Sequence, residues 1–196
     1  MIFESLVVGP LGVNCFILGC ADTKEGVVVD PGGDSENIIA AITGLGLRIS
    51  CVINTHGHFD HVGGNGKVLE HTGAELLVHE ADARYLSLAA EVAVKYGASA
   101  ENSPPPDRFL EDGMILTFGN HQLEVIHTPG HTKGSIAILT ETGQLFIGDT
   151  IAKRGKPEIA PFIQDCPELR DCFANLKTLK AVDVYPGHGI PFSFNV

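Results

Sequence analysis

The stretch Thr55-His56-Gly57-His58-Phe59-Asp60-His61 constrains this chain more than any other. It packs four imidazole or carboxylate groups into six residues, directly after the apolar run at 49–54. A short apolar run of that kind reads as a buried strand, which places the cluster at a strand end. Imidazole and carboxylate are ligands that zinc and iron accept. Gly57 lets the backbone turn tightly, so that neighbouring side chains converge. A lone histidine on an apolar face is commonly a hydrogen-bonded core residue. Four such groups packed together and buried without a metal would leave several polar atoms unsatisfied.

Three further strand ends carry the same kind of group. Thr128-Pro129-Gly130-His131-Thr132 sets a histidine on a tight turn after an apolar strand, and Pro186-Gly187-His188-Gly189 repeats that design after the last strand. Gly148-Asp149-Thr150 follows the apolar residues 145–147. Singly, each has an ordinary reading: a turn histidine, or an aspartate capping a helix. His71, His79 and His121 read as surface or helix residues, and His127 either backs the site or is structural. The five cysteines are odd in number and include no CxxC pair. Cys15 and Cys51 lie in apolar runs and read as small core residues, so neither a disulfide framework nor a thiolate zinc site is indicated.

Pattern and turn residues predict strands over 2–8, 13–19 and 26–30, a helix over 35–45, and a strand over 49–54. A helix over 63–72, a strand over 75–78 and helical segments over 80–96 follow. The proline run at 104–106 reads as a stiff surface connection. Strands over 114–118, 121–127, 135–140 and 144–148 suggest a meander. A long loop, a helix near 167–178 and a last strand over 183–185 complete the chain. Strand-rich segments with helices between them can form two sheets face to face, with helices outside. A length of 196 residues suits one domain over 1–196. The formal charge of −11 repels phosphate backbones, so nucleic acid is not an expected partner. No apolar run is long enough for a membrane helix, and Met1-Ile2-Phe3-Glu4-Ser5 lacks the basic start of a signal peptide. A cytoplasmic location and no membrane partner are the expectation.

The order His-x-His-x-Asp-His, then His131, Asp149 and His188, resembles the metallo-β-lactamase superfamily. Asp30-Pro31-Gly32-Gly33, Thr55-His56-Gly57-His58, Thr128-Pro129-Gly130-His131 and Tyr185-Pro186-Gly187-His188-Gly189 resemble its glyoxalase II-like, hydroxyacylglutathione hydrolase-like branch. The resemblance covers residues 1–190. It implies an α/β fold, the αββα four-layer sandwich, and a centre of two divalent metal ions, zinc foremost, with iron or manganese as the other candidates. By that resemblance His56, His58 and His131 hold one ion, Asp60, His61 and His188 hold the other, and Asp149 bridges both. The implied reaction is hydrolysis of a small-molecule thioester, S-lactoylglutathione-like, or a related ester. A hydroxide between the ions attacks the carbonyl, so Asp60 and Asp149 also count as catalytic. Two divalent ions outweigh two aspartates and a hydroxide, which leaves the centre positive and suited to an anionic substrate.

In the superfamily an acidic residue at the position of Asp30 supports a ligand histidine and fixes its tautomer. An Asp-Pro-Gly turn accounts for Asp30 equally well. Lys153, Arg154 and Lys156 form a basic cluster after Asp149 that either meets a substrate carboxylate or is a solvated loop. Two departures bear on the substrate. Full glyoxalase II enzymes carry an added C-terminal helical domain that helps bind glutathione, whereas eight residues follow His188 here. The expectation is therefore a short member without that domain. The branch also shows Gly-Arg-Ser/Thr-Asp after the bridging aspartate, where this chain has Lys153-Arg154-Gly155-Lys156-Pro157-Glu158. The rival reading is a mononuclear iron persulfide dioxygenase, an oxidoreductase that would use His56, His131 and Asp149. A flavodiiron role fits poorly because that branch has Glu where His58 stands. A nuclease of the superfamily would need an inserted domain and a basic face.

Overall fold

The structure is a computed structural model that describes residues 1–154, 156–159, 174 and 183–193, with the backbone alone for 152–159. The first sheet holds β1 (Ile2–Val8), β2 (Val13–Gly19), β3 (Glu25–Val29), β4 (Arg48–Ile53), β5 (Glu75–His79) and β6 (Arg108–Leu110), side by side in that order. β1 to β3 form an antiparallel meander, and β3 to β6 run parallel. Parallel neighbours need crossovers, and helices supply them. α1 (Ser35–Leu45) joins β3 to β4 and ends on left-handed Gly46, whose N–H reaches the Ile42 and Thr43 carbonyls. α2 (Phe59–Val62) and α3 (Asn65–Thr72) join β4 to β5. A 3-10 turn at Glu80–Asp82, then α4 (Ala83–Leu86) and α5 (Ala89–Lys95), lie between β5 and β6.

The second sheet begins with β7 (Ile115–Phe118), β8 (His121–His127), β9 (Ile136–Thr140) and β10 (Gln144–Gly148), paired antiparallel in sequence. A separate hairpin follows, β11 (Ile151–Arg154) with β12 (Lys156–Ile159). β13 (Asp183–Pro186) then returns beside β10 in parallel, and β14 (Phe192–Ser193) closes that edge. β8 and β10 are both antiparallel to β9, and β13 is parallel to β10, so all three end at one rim of the sheet. Their following loops therefore start together.

Alternation along the strands divides the core into layers. Val27 and Val29 face the second sheet, where they meet Leu123, Ile136 and Phe146. Val28, between them, joins Val52 and Val78 under Ile38, Ile42, Val62 and Val68 of the helices. Both faces of the central strands are covered, which explains their near-continuous apolar runs. Phe146 anchors the inter-sheet layer, with its ring centroid 4.9 Å from Phe16 and 5.0 Å from Tyr185. The outer face of the second sheet, with Ala137, Leu145, Ile147 and Val184, is buried too. Among the described residues no helix is long and apolar enough to cross a membrane.

Over the described residues the strand and helix expectations match in order, with three differences. β6 and β14 are edge strands of three and two residues, too short for a periodic signal. The expected loop after β10 contains the β11–β12 hairpin, whose polar Lys-Arg-Gly-Lys-Pro-Glu sequence hides an edge pairing. α2 starts at Phe59, inside the histidine cluster, rather than at 63. Apart from residue 174, the expected helix at 167–178 lies outside the described residues, as do Cys166 and Cys172.

Candidate metal centre

The loop after β4 and the three loops at the rim of the second sheet meet in one place. Two backbone contacts bring the sheets together there: Ile136 N donates to Thr55 O at 2.8 Å, and Asn14 N donates to Gly187 O at 2.7 Å. His56 Nε2 lies 3.1 Å from His58 Nδ1, which lies 2.9 Å from His131 Nε2. His188 Nε2 is 3.1 Å from Asp60 Oδ2, and His61 Nε2 is 3.7 Å from that same oxygen. Between the two groups stands Asp149, whose carboxylate oxygens are 3.5 Å from His61 Nε2, 3.5 Å from His131 Nε2 and 3.6 Å from His188 Nε2.

Glycine makes the convergence possible at two points. Gly148 adopts φ 53, and a Cβ there would come within 2.5 Å of Thr55 Oγ1. Only glycine lets β10 turn that closely against the β4 loop and present Asp149. A Cβ on Gly57 would lie 2.8 Å from the Asp82 carbonyl oxygen and 2.9 Å from Tyr85 Cβ.

Asp30 is both a turn residue and a support. It sits at a left-handed φ of 50, an uncommon conformation that aspartate tolerates better than most residues. Its buried carboxylate accepts from Thr55 N at 2.7 Å, from Thr55 Oγ1 at 2.6 Å and from His61 Nδ1 at 2.9 Å. With Nδ1–H donated to Asp30, the His61 ring aims its Nε2 at Asp60 and Asp149, so that loss of the Nε2 proton would leave a lone pair directed at an ion held there.

The electrostatics divide the histidines. Burial, aided by the other imidazoles, holds His56 well below the ordinary histidine range. Burial and then His61 lower His58, and burial pushes His131 down to about 4. His61 is raised: burial opposes its charge, but Asp30 and Asp149 outweigh that cost. His188 is raised by its contact with Asp60. Burial would raise both aspartates, yet Asp60 is lowered, chiefly by His188, and Asp149 far more so, chiefly by His61.

This donor set fits a metal. Three groups have donor atoms within 4.8 Å of one another: His56, His58 and His131; His56, His61 and Asp149; and Asp60, His61 and His188. Among the described residues, His61 Nε2, His131 Nδ1 and Asp149 Oδ1 are buried without a hydrogen-bond partner. His61 Nε2 and Asp149 Oδ1 face one another. Such a crowded set of nitrogen and oxygen donors needs positive charge among it, from a proton on His61 or from a metal ion, and imidazole with carboxylate suits zinc or iron.

All seven ligand candidates from the sequence, together with Asp30, lie in this cluster. The side chains of Lys153, Arg154 and Lys156 lie outside the described residues. His127 stands aside, stacked on His79 at 4.4 Å. Two residues escaped sequence reasoning. Asn14 donates through Nδ2 to Pro186 O at 2.8 Å and Gly189 O at 2.9 Å, tying the His188 turn to β2. Asp82, fully buried, accepts from Gly57 N at 2.8 Å, Thr132 Oγ1 at 2.7 Å and Gly134 N at 2.9 Å. An aspartate in an otherwise helical stretch gives no local signal of such long-range bonds.

The metallo-beta-lactamase superfamily matches the sequence over residues 8–188. A curated relative, hydroxyacylglutathione hydrolase GloC of Haemophilus influenzae, is 32% identical over 158 residues, covering 79% of this chain and 74% of that protein. Two solved structures share the architecture. The BLEG-1 B3 metallo-beta-lactamase superposes with a TM-score of 0.87 and 28% identity, covering 98% of this chain and 94% of its own. TTHA1623, solved in a di-iron-bound form, gives 0.85 and 30%, covering 97% and 94%. In fold, motif order and rim geometry alike, this chain belongs to the metallo-β-lactamase superfamily.

Proposed function

We propose that the chain is a binuclear metal-dependent hydrolase that cleaves a small thioester, S-lactoylglutathione-like, or a related ester. His56, His58 and His131 would hold one ion and Asp60, His61 and His188 the other, with Asp149 placed to serve both. The observation that carries this reading is the position of Asp149, within 3.6 Å of a histidine from each triad. The kinship with a hydroxyacylglutathione hydrolase supports the thioester. The match over residues 8–188 supports one domain over 1–196.

Two divalent ions held there would supply an acidified water and the Lewis acidity that acyl transfer to water needs. The chain's own part is positional. Asp30 fixes the His61 tautomer, Asn14 fixes the His188 turn, and the Asp149 carboxylate stays ionised at neutral pH among three imidazoles. Lys153, Arg154 and Lys156 are the proposed anchors for a substrate carboxylate. A mononuclear iron dioxygenase would use His56, His131 and Asp149, but it leaves Asp60, His61 and His188 without a role.

The test is metal analysis together with a substrate panel. Protein loaded with zinc, iron or manganese should bind close to two ions per chain and hydrolyse S-lactoylglutathione or another thioester. Saturation at one iron, with oxygen uptake on a persulfide and no thioester turnover, would overturn the proposal.

A further inference from the structure

We infer that Asp82 is a positioning residue for the three-histidine metal position, setting the spacing between the loops that carry His56, His58 and His131. The inference rests on the binuclear reading above. All three hydrogen bonds of its carboxylate go to those two loops. Gly57 N lies between His56 and His58 in sequence, while Thr132 Oγ1 and Gly134 N follow His131. One loop extends from the first sheet and the other from the second; the backbone bond from Ile136 N to Thr55 O joins their bases, and Asp82 joins them nearer the histidines.

The fit is close on both sides. A Cβ on Gly134 would come within 2.7 Å of Asp82 Oδ1, and one on Gly57 would come within 2.8 Å of Asp82 O. Any larger residue at either position would push the loops off the carboxylate. Asp82 is itself held in place. It ends the 3-10 turn at Glu80–Asp82, which His79 Nδ1 caps by accepting from Ala81 N at 3.2 Å. His79 stacks on His127, whose Nε2 lies 2.9 Å from Lys133 O, so the same segment braces the His131 loop a second time. Thr132 Oγ1 also lies 2.8 Å from Ser135 Oγ, which accepts from Thr132 N at 3.0 Å.

A buried carboxylate is costly, and here backbone N–H groups and a hydroxyl, not a cation, compensate it. Such an arrangement is directional: it fixes distances between the groups that donate to it. The second position is supported by Asp30 on His61 and Asn14 on the His188 turn, and Asp30 also holds Thr55, whose Oγ1 lies 3.2 Å from His56 Nδ1. Asp82, by contrast, bonds only to the loops that carry His56, His58 and His131. Ligands must be held within about half an ångström of a productive geometry, so slackening one support should weaken one position.

The experiment is zinc titration against a chromophoric chelator in two single-position backgrounds. His188→Ala leaves the three-histidine group whole, and His58→Ala leaves Asp60, His61 and His188 whole. Asp82→Asn keeps one accepting oxygen and replaces the other with a donor. It should weaken zinc roughly 10–100-fold in the His188→Ala background and leave the His58→Ala background unchanged. Thr132→Val, which removes one donor and keeps the carboxylate, should weaken the same position and serves if Asp82→Asn does not fold. Equal weakening in both backgrounds would reduce Asp82 to a general structural role, and no change in either would remove it altogether; both outcomes overturn the inference. A wild type that binds one zinc counts instead against the binuclear reading, and the inference then stands or falls on whether Asp82→Asn weakens that ion.

Discussion

Gly187 lies directly against the Asp149 carboxylate: a Cβ built on it would collide with Asp149 Oδ1 and come within 2.8 Å of His61 Cε1. Its φ is outside the left-handed region, so space and not backbone strain demands glycine. Gly187→Ala should therefore fold, yet displace two ligand candidates at once. We expect loss of the second ion and a fall in kcat of roughly 100-fold, the cost of about a 1 Å misplacement. Metal content and thermal melting of the same sample check this. A melt as sharp as wild type with two ions retained would refute it.

The histidines predict a pH order of metal release. Protons compete with a metal for imidazole, displacing it below the ligand's metal-free pKa by an amount that grows with affinity, so at comparable affinity the ligands of higher pKa yield first. Burial keeps His56 and His58 low and His131 at about 4, so protons reach that group last. His61, despite its burial, and His188 are raised by their carboxylate neighbours, so protons reach them first. Acidifying zinc-loaded protein should release the ion held by Asp60, His61 and His188 at a higher pH than the ion held by His56, His58 and His131. His188→Ala should abolish the upper step. Simultaneous release of both ions would contradict this order.

Asp30→Asn tests the support of His61. Asparagine tolerates the left-handed φ of 50, so the backbone should hold, while the charge that orients His61 is lost. Zinc affinity at the Asp60, His61 and His188 position should fall about 10–100-fold. An unchanged titration would mean that the turn alone matters.

Changing Lys153, Arg154 and Lys156 together to alanine should raise KM more than it lowers kcat, the pattern of lost uniform binding. Steady-state kinetics on an anionic and a neutral thioester separate the effects, since only the anionic substrate should respond. An equal response from both would move recognition elsewhere.

The ligand cluster was legible because it is dense and local. His56, His58, Asp60 and His61 advertise themselves within one stretch, and His131 and His188 each follow a Pro-Gly turn. What joins them was not. Asp82 and Asn14 are single polar residues whose partners lie 25 to 52 and more than 170 positions away in sequence. Such bonds exist only once the sheets have met. Asp30 shows the limit from the other side: its sequence left turn and support as rivals, and the structure has one residue doing both. The central strands were legible because two-sided burial writes continuous apolar runs, whereas β6, β14 and the β11–β12 hairpin lie at edges where backbone pairing leaves little trace in side chains.

The two sheets contribute to each metal group jointly: His56, His58, Asp60 and His61 follow β4, while His131, Asp149 and His188 follow β8, β10 and β13. A bound ion would thus crosslink the sandwich, and we predict that its escape requires the loops of the two sheets to part. Chelators should then strip the protein at a rate independent of their own concentration once that concentration is high. That limiting rate would be a clock for the separation of the two halves.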